Sequence, residues 1–332
     1  MLTAILMLSP CLSASPAANA SKDPLLVPRL SVPWTEATRI VGDGTSFHSD
    51  FCLIKDRRDR WHCIGIGGRD SKDNSLFHAV GEKLTEPFVY RDKLVGEVGP
   101  KPDHMWAPYA IWKDEDKALL YYAHFTDGAE QAMRVYVGEG PDLEVWKPYA
   151  GDALLRENVV MEEPAERDAC IFWDDALDSY IMYYAASTSE TDERGRTGNV
   201  IRARLSKDLC VWSGPRTVAG PPAGYQAAES PFVLKRNGLY FLWISGFDYG
   251  RMSLYISEDP FDFGDPMEHR IEEQSGHAPE IVTVDGVDWM ASAAIASKFG
   301  NTPAAHDLRG VFIQALKWEP ITAGERAKIV RK

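Results

Sequence analysis

The chain has 332 residues, enough for one large core or two small ones. Its formal net charge of −13, with no Lys/Arg cluster, argues against nucleic acid or an anionic membrane as partner, because both select a basic patch. Aromatic residues reach 11%, with 10 Trp and 13 Tyr, a supply suited first to wedges between packed sheets and second to stacking on sugar rings.

The first twenty residues carry no charge and run from an apolar stretch over 2–8 to Ala18-Asn19-Ala20. This reads as a signal peptide over 1–20 with cleavage before Ser21, and its apolar run is too short for a membrane span. A secreted or periplasmic location is expected. Residues 21–44 read as an N-terminal extension.

Short strand-like runs then dominate, at 61–66, 118–124, 133–137, 180–185, 200–205, 238–245, 252–256 and 311–316. Their alternation and their β-branched or aromatic content predict strands, and Asp, Gly, Pro and Asn separate them. No long amphipathic helix is present, and 319–332 reads as a C-terminal tail with a short basic helix.

Internal repetition organises these runs. Asp142-Leu143-Glu144-Val145-Trp146 returns 66 residues later as Asp208-Leu209-Cys210-Val211-Trp212. Five unit starts can be placed: His48-Ser49-Asp50, Trp106-Ala107-Pro108, Arg167-Asp168-Ala169, Glu229-Ser230-Pro231 and His277-Ala278-Pro279. The steps between Asp50, Trp106, Asp168, Glu229 and His277 are 56, 62, 61 and 48 residues, room for four strands and their turns. The predicted fold is all-β: a five-bladed β-propeller with four-stranded antiparallel blades over 45–318.

In a propeller the innermost strands line a central channel, so acids at their starts meet in one funnel. Blades one, three and four supply Asp50, Asp168 and Glu229. Glycosidic cleavage needs one protonated carboxyl for the leaving oxygen and one ionised carboxylate to activate water or attack the anomeric carbon. A third carboxylate holds the acid's pKa up or stabilises positive charge in the transition state. Asp56, Asp59, Asp174, Asp175 and Asp178 follow the inner strands instead, where hairpin turns favour Asp.

This pattern resembles the five-bladed propeller glycoside hydrolases, chiefly family 43 and its relatives, with the fructan-active family 32 next. The resemblance implies Asp50 as general base, Asp168 as the residue that orients and tunes, and Glu229 as general acid. It also implies that Trp106 borders the substrate and that His277 sits on the propeller axis near a bound water or cation. Asp-Pro is usual in blades one and three of family 43, whereas Phe51 follows Asp50 and Ala169 follows Asp168 here. An Asp50–Glu229 separation of about 5–5.5 Å would suit retention of configuration, and roughly 6.5–9.5 Å inversion.

Four further residues are candidates for substrate binding: Trp106, His48, His104 and Arg309. No cofactor is expected to be required, although a structural Ca2+ on the axis near His277 is an option. Arg167 is expected to be an ion partner in blade packing, because adjacent strand residues point oppositely. Glu280 is expected to line the channel or serve the fold. Cys52 and Cys63 form either a cross-strand disulfide or two buried thiols, and no Cys pair has metal-ligand spacing. The leading function is an exported hydrolase of oligo- or polysaccharide. Alternatives are a non-catalytic sugar-binding propeller, a retaining fructan-type hydrolase or transglycosidase, and a phosphorylase, which would want a cationic phosphate site. Sequence leaves the oligomeric state undefined.

Overall fold

A computed structural model describes residues 24–332 apart from 69–74, 93–94, 96–103, 126–131, 150–165, 222–226, 247–249, 294 and 296–307. The proposed signal peptide lies outside the described residues. Twenty-one strands form five antiparallel sheets among those residues. Blade one comprises β3 (His48–Lys55), β4 (Trp61–Gly67), β5 (Phe77–Gly81) and β6 (Val89–Tyr90). Blade two comprises β7 (His104–Trp112), β8 (Lys117–Phe125), β9 (Ala132–Glu139) and β10 (Trp146–Pro148). Blade three comprises β11 (Arg167–Asp174), β12 (Ser179–Thr188), β13 (Gly198–Ser206) and β14 (Arg216–Ala219), and blade four β15 (Ala228–Arg236), β16 (Leu239–Gly246), β17 (Arg251–Ser257) and β18 (Glu272–Ser275).

The fifth blade is assembled from both ends of the chain. Its β19 (His277–Val284), β20 (Val287–Ala293) and β21 (Val311–Pro320) come from the C-terminal part. Its outer edge comes from β1 (Leu26–Leu30) and β2 (Thr38–Val41), which pair with the two ends of β21 through Leu30↔Leu316 and Thr38↔Ile313. The ring therefore begins well before residue 45, because the segment read as an extension closes it. The tail also differs from expectation: β21 runs to Pro320, and only Ala323–Arg326 (α1) is helical, with Thr322 and Glu325 forming a capping box.

Among the described residues five buried clusters hold the ring, one at each junction between blades. Tyr121 and Tyr184 meet between blades two and three. Tyr183 and Tyr255 meet between three and four, and Trp243 and Phe312 between four and five. Trp243, Tyr121, Tyr136, Tyr183, Tyr184 and Tyr255 are among the largest fully buried side chains, so much of the aromatic content serves as wedges. The repeated Asp-Leu-x-x-Trp element is the turn before the outermost strand. Asp208 Oδ1 accepts from the amides of Cys210 and Val211 at 2.8 Å, and Leu143 and Leu209 adopt positive φ. Trp146 and Trp212 follow and are buried.

Each inner strand leaves one backbone edge facing the axis, and its buried N–H and C=O groups need partners. Neighbouring blades supply them. Tyr109 Oη donates to the Ile171 carbonyl at 2.7 Å, Val233 N–H donates to Cys170 Sγ at 3.4 Å, and Ala278 N–H to Ser245 Oγ at 3.0 Å. Cys52 and Cys63 are free buried thiols. Cys52 faces the junction with blade two and Cys63 the junction with blade five, so they lie on opposite faces of one sheet. The disulfide alternative fails on that geometry.

Candidate active site

All five inner strands carry a one-residue β-bulge near their start. The register slips between His48 and Phe51, Trp106 and Tyr109, Arg167 and Cys170, Glu229 and Phe232, and His277 and Glu280. In blades two to five the first bulged residue has positive φ: Ala107 at 45°, Asp168 at 63°, Ser230 at 44° and Ala278 at 47°. For residues with a Cβ this costs on the order of 1–3 kcal/mol each, a local strain the surrounding sheet must hold. Bulges re-aim side chains, and here they turn the strand starts toward the axis.

The bulges also correct the expected equivalence of the three acids. Glu229 occupies the position before the bulge, in register with His48, Trp106, Arg167 and His277. Asp168 is the first bulged residue of its strand and Asp50 the second. The acids therefore stand at three successive positions of one motif, not at one repeated position.

The stagger still gathers them. A small open pocket is lined by bulge residues of all five inner strands, among them Asp50, Asp168 and Ser230, with Glu280 beside them. Ser230 links two acids, since its amide donates to Asp168 Oδ2 at 2.9 Å and its hydroxyl donates to Asp50 Oδ1. Ser49 Oγ donates to Asp50 Oδ2 at 2.7 Å, and His277 Nε2 stands 3.6 Å from the same oxygen. Arg167 joins the third acid to Asp168, with Nη2 donating to Glu229 Oε1 at 2.7 Å and Nε 3.5 Å from Asp168 Oδ2.

These contacts set the charges. Burial works against ionisation of Asp50, but bonds from His277, Ser230 and Ser49 outweigh it and hold its carboxyl well below the usual range. Asp168 goes the other way. Burial, then the charges of Asp50 and Glu229, push it up to about 7 against the pull of Arg167 and the Ser230 amide. His277 is raised: burial lowers it, and Asp50 more than compensates.

The remaining candidates fall around this centre. Trp106 and His104 open β7 with their rings 5.1 Å apart, Trp106 in the register of Glu229. His48 packs inside blade one: Nδ1 meets the Ser46 carbonyl at 3.0 Å, Nε2 meets Tyr90 Oη at 2.5 Å, and burial lowers its pKa to about 4. Arg309 donates to the Thr45 carbonyl at 3.0 Å, fastening the loop before β3. Around His277, no group of three or more His, Cys, Asp or Glu with metal-holding geometry exists among the described residues. Ca2+ prefers six to eight oxygens, which a His and Asp50 do not supply. Sequence reasoning missed Ser230 and Ser49, and set Arg167 outside the site. The bulge explains the last, because Asp168 at positive φ breaks the alternation that would send neighbours to opposite faces.

With this geometry in place, comparison with known proteins is decisive at family level. The model of glycosyl hydrolases family 43 matches residues 65–320. The chain belongs to glycosyl hydrolase family 43. This glycoside hydrolase carries Asp168 and Glu229 inside the matched span, while Asp50 precedes it.

Its fold is similar to that of a thermostable family-43 glycoside hydrolase, at TM-score 0.60 and 18% identity over 86% of this chain and 96% of the other. It is also similar to a β-xylosidase/α-arabinofuranosidase from a compost microbial metagenome in complex with xylotriose (TM-score 0.58, 14% identity, 88% and 96% covered). A third similar structure is an α-L-arabinofuranosidase from Lactobacillus brevis (TM-score 0.59, 14% identity, 83% and 92% covered). No curated protein sequence matches this one.

Proposed function

We propose that this family 43 hydrolase cleaves xylosyl or arabinofuranosyl linkages of plant-type oligosaccharides. In this reading Asp50 is the general base, Glu229 the general acid and Asp168 the tuning carboxylate. The observation that carries it is the linkage of three carboxyls from separate blades through Ser230 and Arg167 at one axial pocket. Asp50, kept ionised by its three neighbours, is suited to take a proton from water. Glu229 has to carry a proton when the leaving oxygen departs, so its pair with Arg167 must open as substrate enters. Asp168 then offers Arg167 its remaining anionic partner.

The pentose assignment rests on the names of the similar structures, a β-xylosidase/α-arabinofuranosidase and an α-L-arabinofuranosidase. Trp106 and His104 are proposed as an aromatic wall for the sugar. Export is proposed from the uncharged first twenty residues and the small-residue site before Ser21. An axial cation has His277 as its one suggested protein ligand, and no catalytic step depends on it.

The test is a panel of aryl xylosides, arabinofuranosides, fructosides and galactosides, with xylo- and arabino-oligosaccharides. Wild-type enzyme should release the pentoses; the Asp50→Asn variant should fold and release none, and the Glu229→Gln variant should fold and release none from the oligosaccharides. Cleavage confined to fructosides would move the substrate, and full activity of either variant on the oligosaccharides would overturn the roles.

A further inference from the structure

Ser230 stands among the acids without being one. It follows Glu229 directly, lines the axial pocket beside Asp50 and Asp168, and is 8% exposed. As the first bulged residue of β15 it has φ 44°. Ala107 and Ala278 hold the same place in blades two and five, at 45° and 47°, and a proline follows each of the three. A methyl group therefore satisfies this bulge. The hydroxyl of Ser230 is an addition that the backbone does not ask for.

That hydroxyl donates to Asp50 Oδ1, joining blade four to blade one between residues 180 apart in the chain. An ionised carboxylate only accepts, so the one hydroxyl proton is committed to it. Ser49 Oγ holds the other oxygen, Oδ2, at 2.7 Å, but Ser49 precedes Asp50 on β3 and moves with that strand. His277, from blade five, stands further off at 3.6 Å. We propose that the Ser230 hydroxyl is a positioning group of the acid/base site, fixing the Asp50 carboxylate relative to Glu229. The inference rests on the reading of Asp50 as base and Glu229 as acid. With one hydroxyl on each oxygen the carboxylate plane is held in a single orientation, and acceptor positions remain for the proton of the attacking water. The two parts of Ser230 have separate tasks. Its amide donates to Asp168 Oδ2 at 2.9 Å, a bond that alanine would keep, while the hydroxyl serves Asp50. The sign of the effect separates positioning from tuning. Losing a donor makes a carboxylate more basic, which by itself assists proton removal, so a fall in kcat reports lost placement.

Ser230→Ala, Ser230→Gly and Asp50→Asn are to be compared on a series of aryl glycosides of the sugar that wild type releases. Ser230→Ala should lower kcat about 10- to 100-fold with KM nearly unchanged, the signature of a displaced catalytic group. The loss should be the same for every leaving group, because Glu229 still protonates the departing oxygen, and the unfolding midpoint should stay at the wild-type value. Ser230→Gly also lacks the hydroxyl and accepts positive φ freely, so it should lose as much kcat. Full kcat in Ser230→Ala, a rise in KM in place of the fall in kcat, or a loss that grows with leaving-group pKa would each overturn the proposal. Should Ser230→Ala not fold, Ser230→Gly decides on the same readings. An active Asp50→Asn sinks the base assignment, whereas an inactive Asp50→Asn with an unimpaired Ser230→Ala sinks the positioning role alone.

Discussion

The two ends of the inner strands carry the same residue types in opposite circumstances. At the hairpin end, Asp56 accepts the amides of Arg58 and Arg60 at 2.9 and 2.8 Å and the Arg60 guanidinium at 2.9 Å. Asp174 accepts the Ala176 amide at 2.9 Å, Lys235 Nζ at 2.6 Å and Tyr240 Oη at 2.6 Å. Burial works against their ionisation, but these donors outweigh it and both carboxyls are lowered. At the bulge end, Asp168 has one amide and a more distant guanidinium while two other acids crowd it, and it is raised to about 7. The fold satisfies the hairpin acids with donors of their own turns and neighbouring strands, and leaves Asp168 in tension with the acids beside it, the circumstance in which functional groups concentrate.

Breaking the bulge end should have the largest effect. On oligosaccharide substrates, whose leaving oxygen needs a proton, Asp50→Asn and Glu229→Gln are each expected to lower kcat by about 10³- to 10⁴-fold or to the detection limit, with unfolding midpoints near wild type. A midpoint falling together with activity would make these acids structural, like those of the hairpins. Breaking the hairpin end should do the reverse. Asp174→Ala leaves Lys235 and Tyr240 without their acceptor and should cost on the order of 2–3 kcal/mol of stability in denaturant titrations. Its kcat, measured where the protein is folded, should stay near wild type.

The pH dependence of stability sharpens the contrast. Asp168 keeps its proton up to about pH 7 in the folded state but loses it near about pH 4 when unfolded. The folded state therefore binds more protons in that window, and this residue makes stability fall as pH rises from about 4 to about 7. Asp168→Asn should remove that decline. Asp56 and Asp174, with lowered values, contribute stability present above about pH 4 and lost as pH falls through their folded pKa. An unchanged slope in Asp168→Asn would mean that its tension is relieved in solution. The smallest effect concerns the thiols: a reductant should leave the melting curve unmoved, since Cys52 and Cys63 lie on opposite faces of their sheet.

Much of this was legible in the sequence, because a propeller repeats and repetition needs no coordinates. The five starts, with Asp50, Trp106, Asp168, Glu229 and His277, do open the five inner strands. Three things were hidden. The stagger of the acids depends on where each bulge falls, and a one-residue bulge leaves no trace in a motif three residues long. The role of Arg167 was hidden for the same reason, since alternation fails across a residue at positive φ. Ring closure by β1 and β2 was hidden because those strands pair with β21, nearly the whole chain away, and carry no copy of the repeated start. The hairpin acids, by contrast, were readable as turn residues from local chemistry alone.

The central claim is that the staggered acids divide the work of acid and base, with Glu229 giving its proton to the leaving oxygen. The most direct measurement is the dependence of kcat on leaving-group pKa for a series of aryl glycosides in wild type and Glu229→Gln. The account predicts a steep dependence in the variant, with activity nearly restored for the most acidic phenols, which need no proton to depart. An equal loss across the whole series would contradict it.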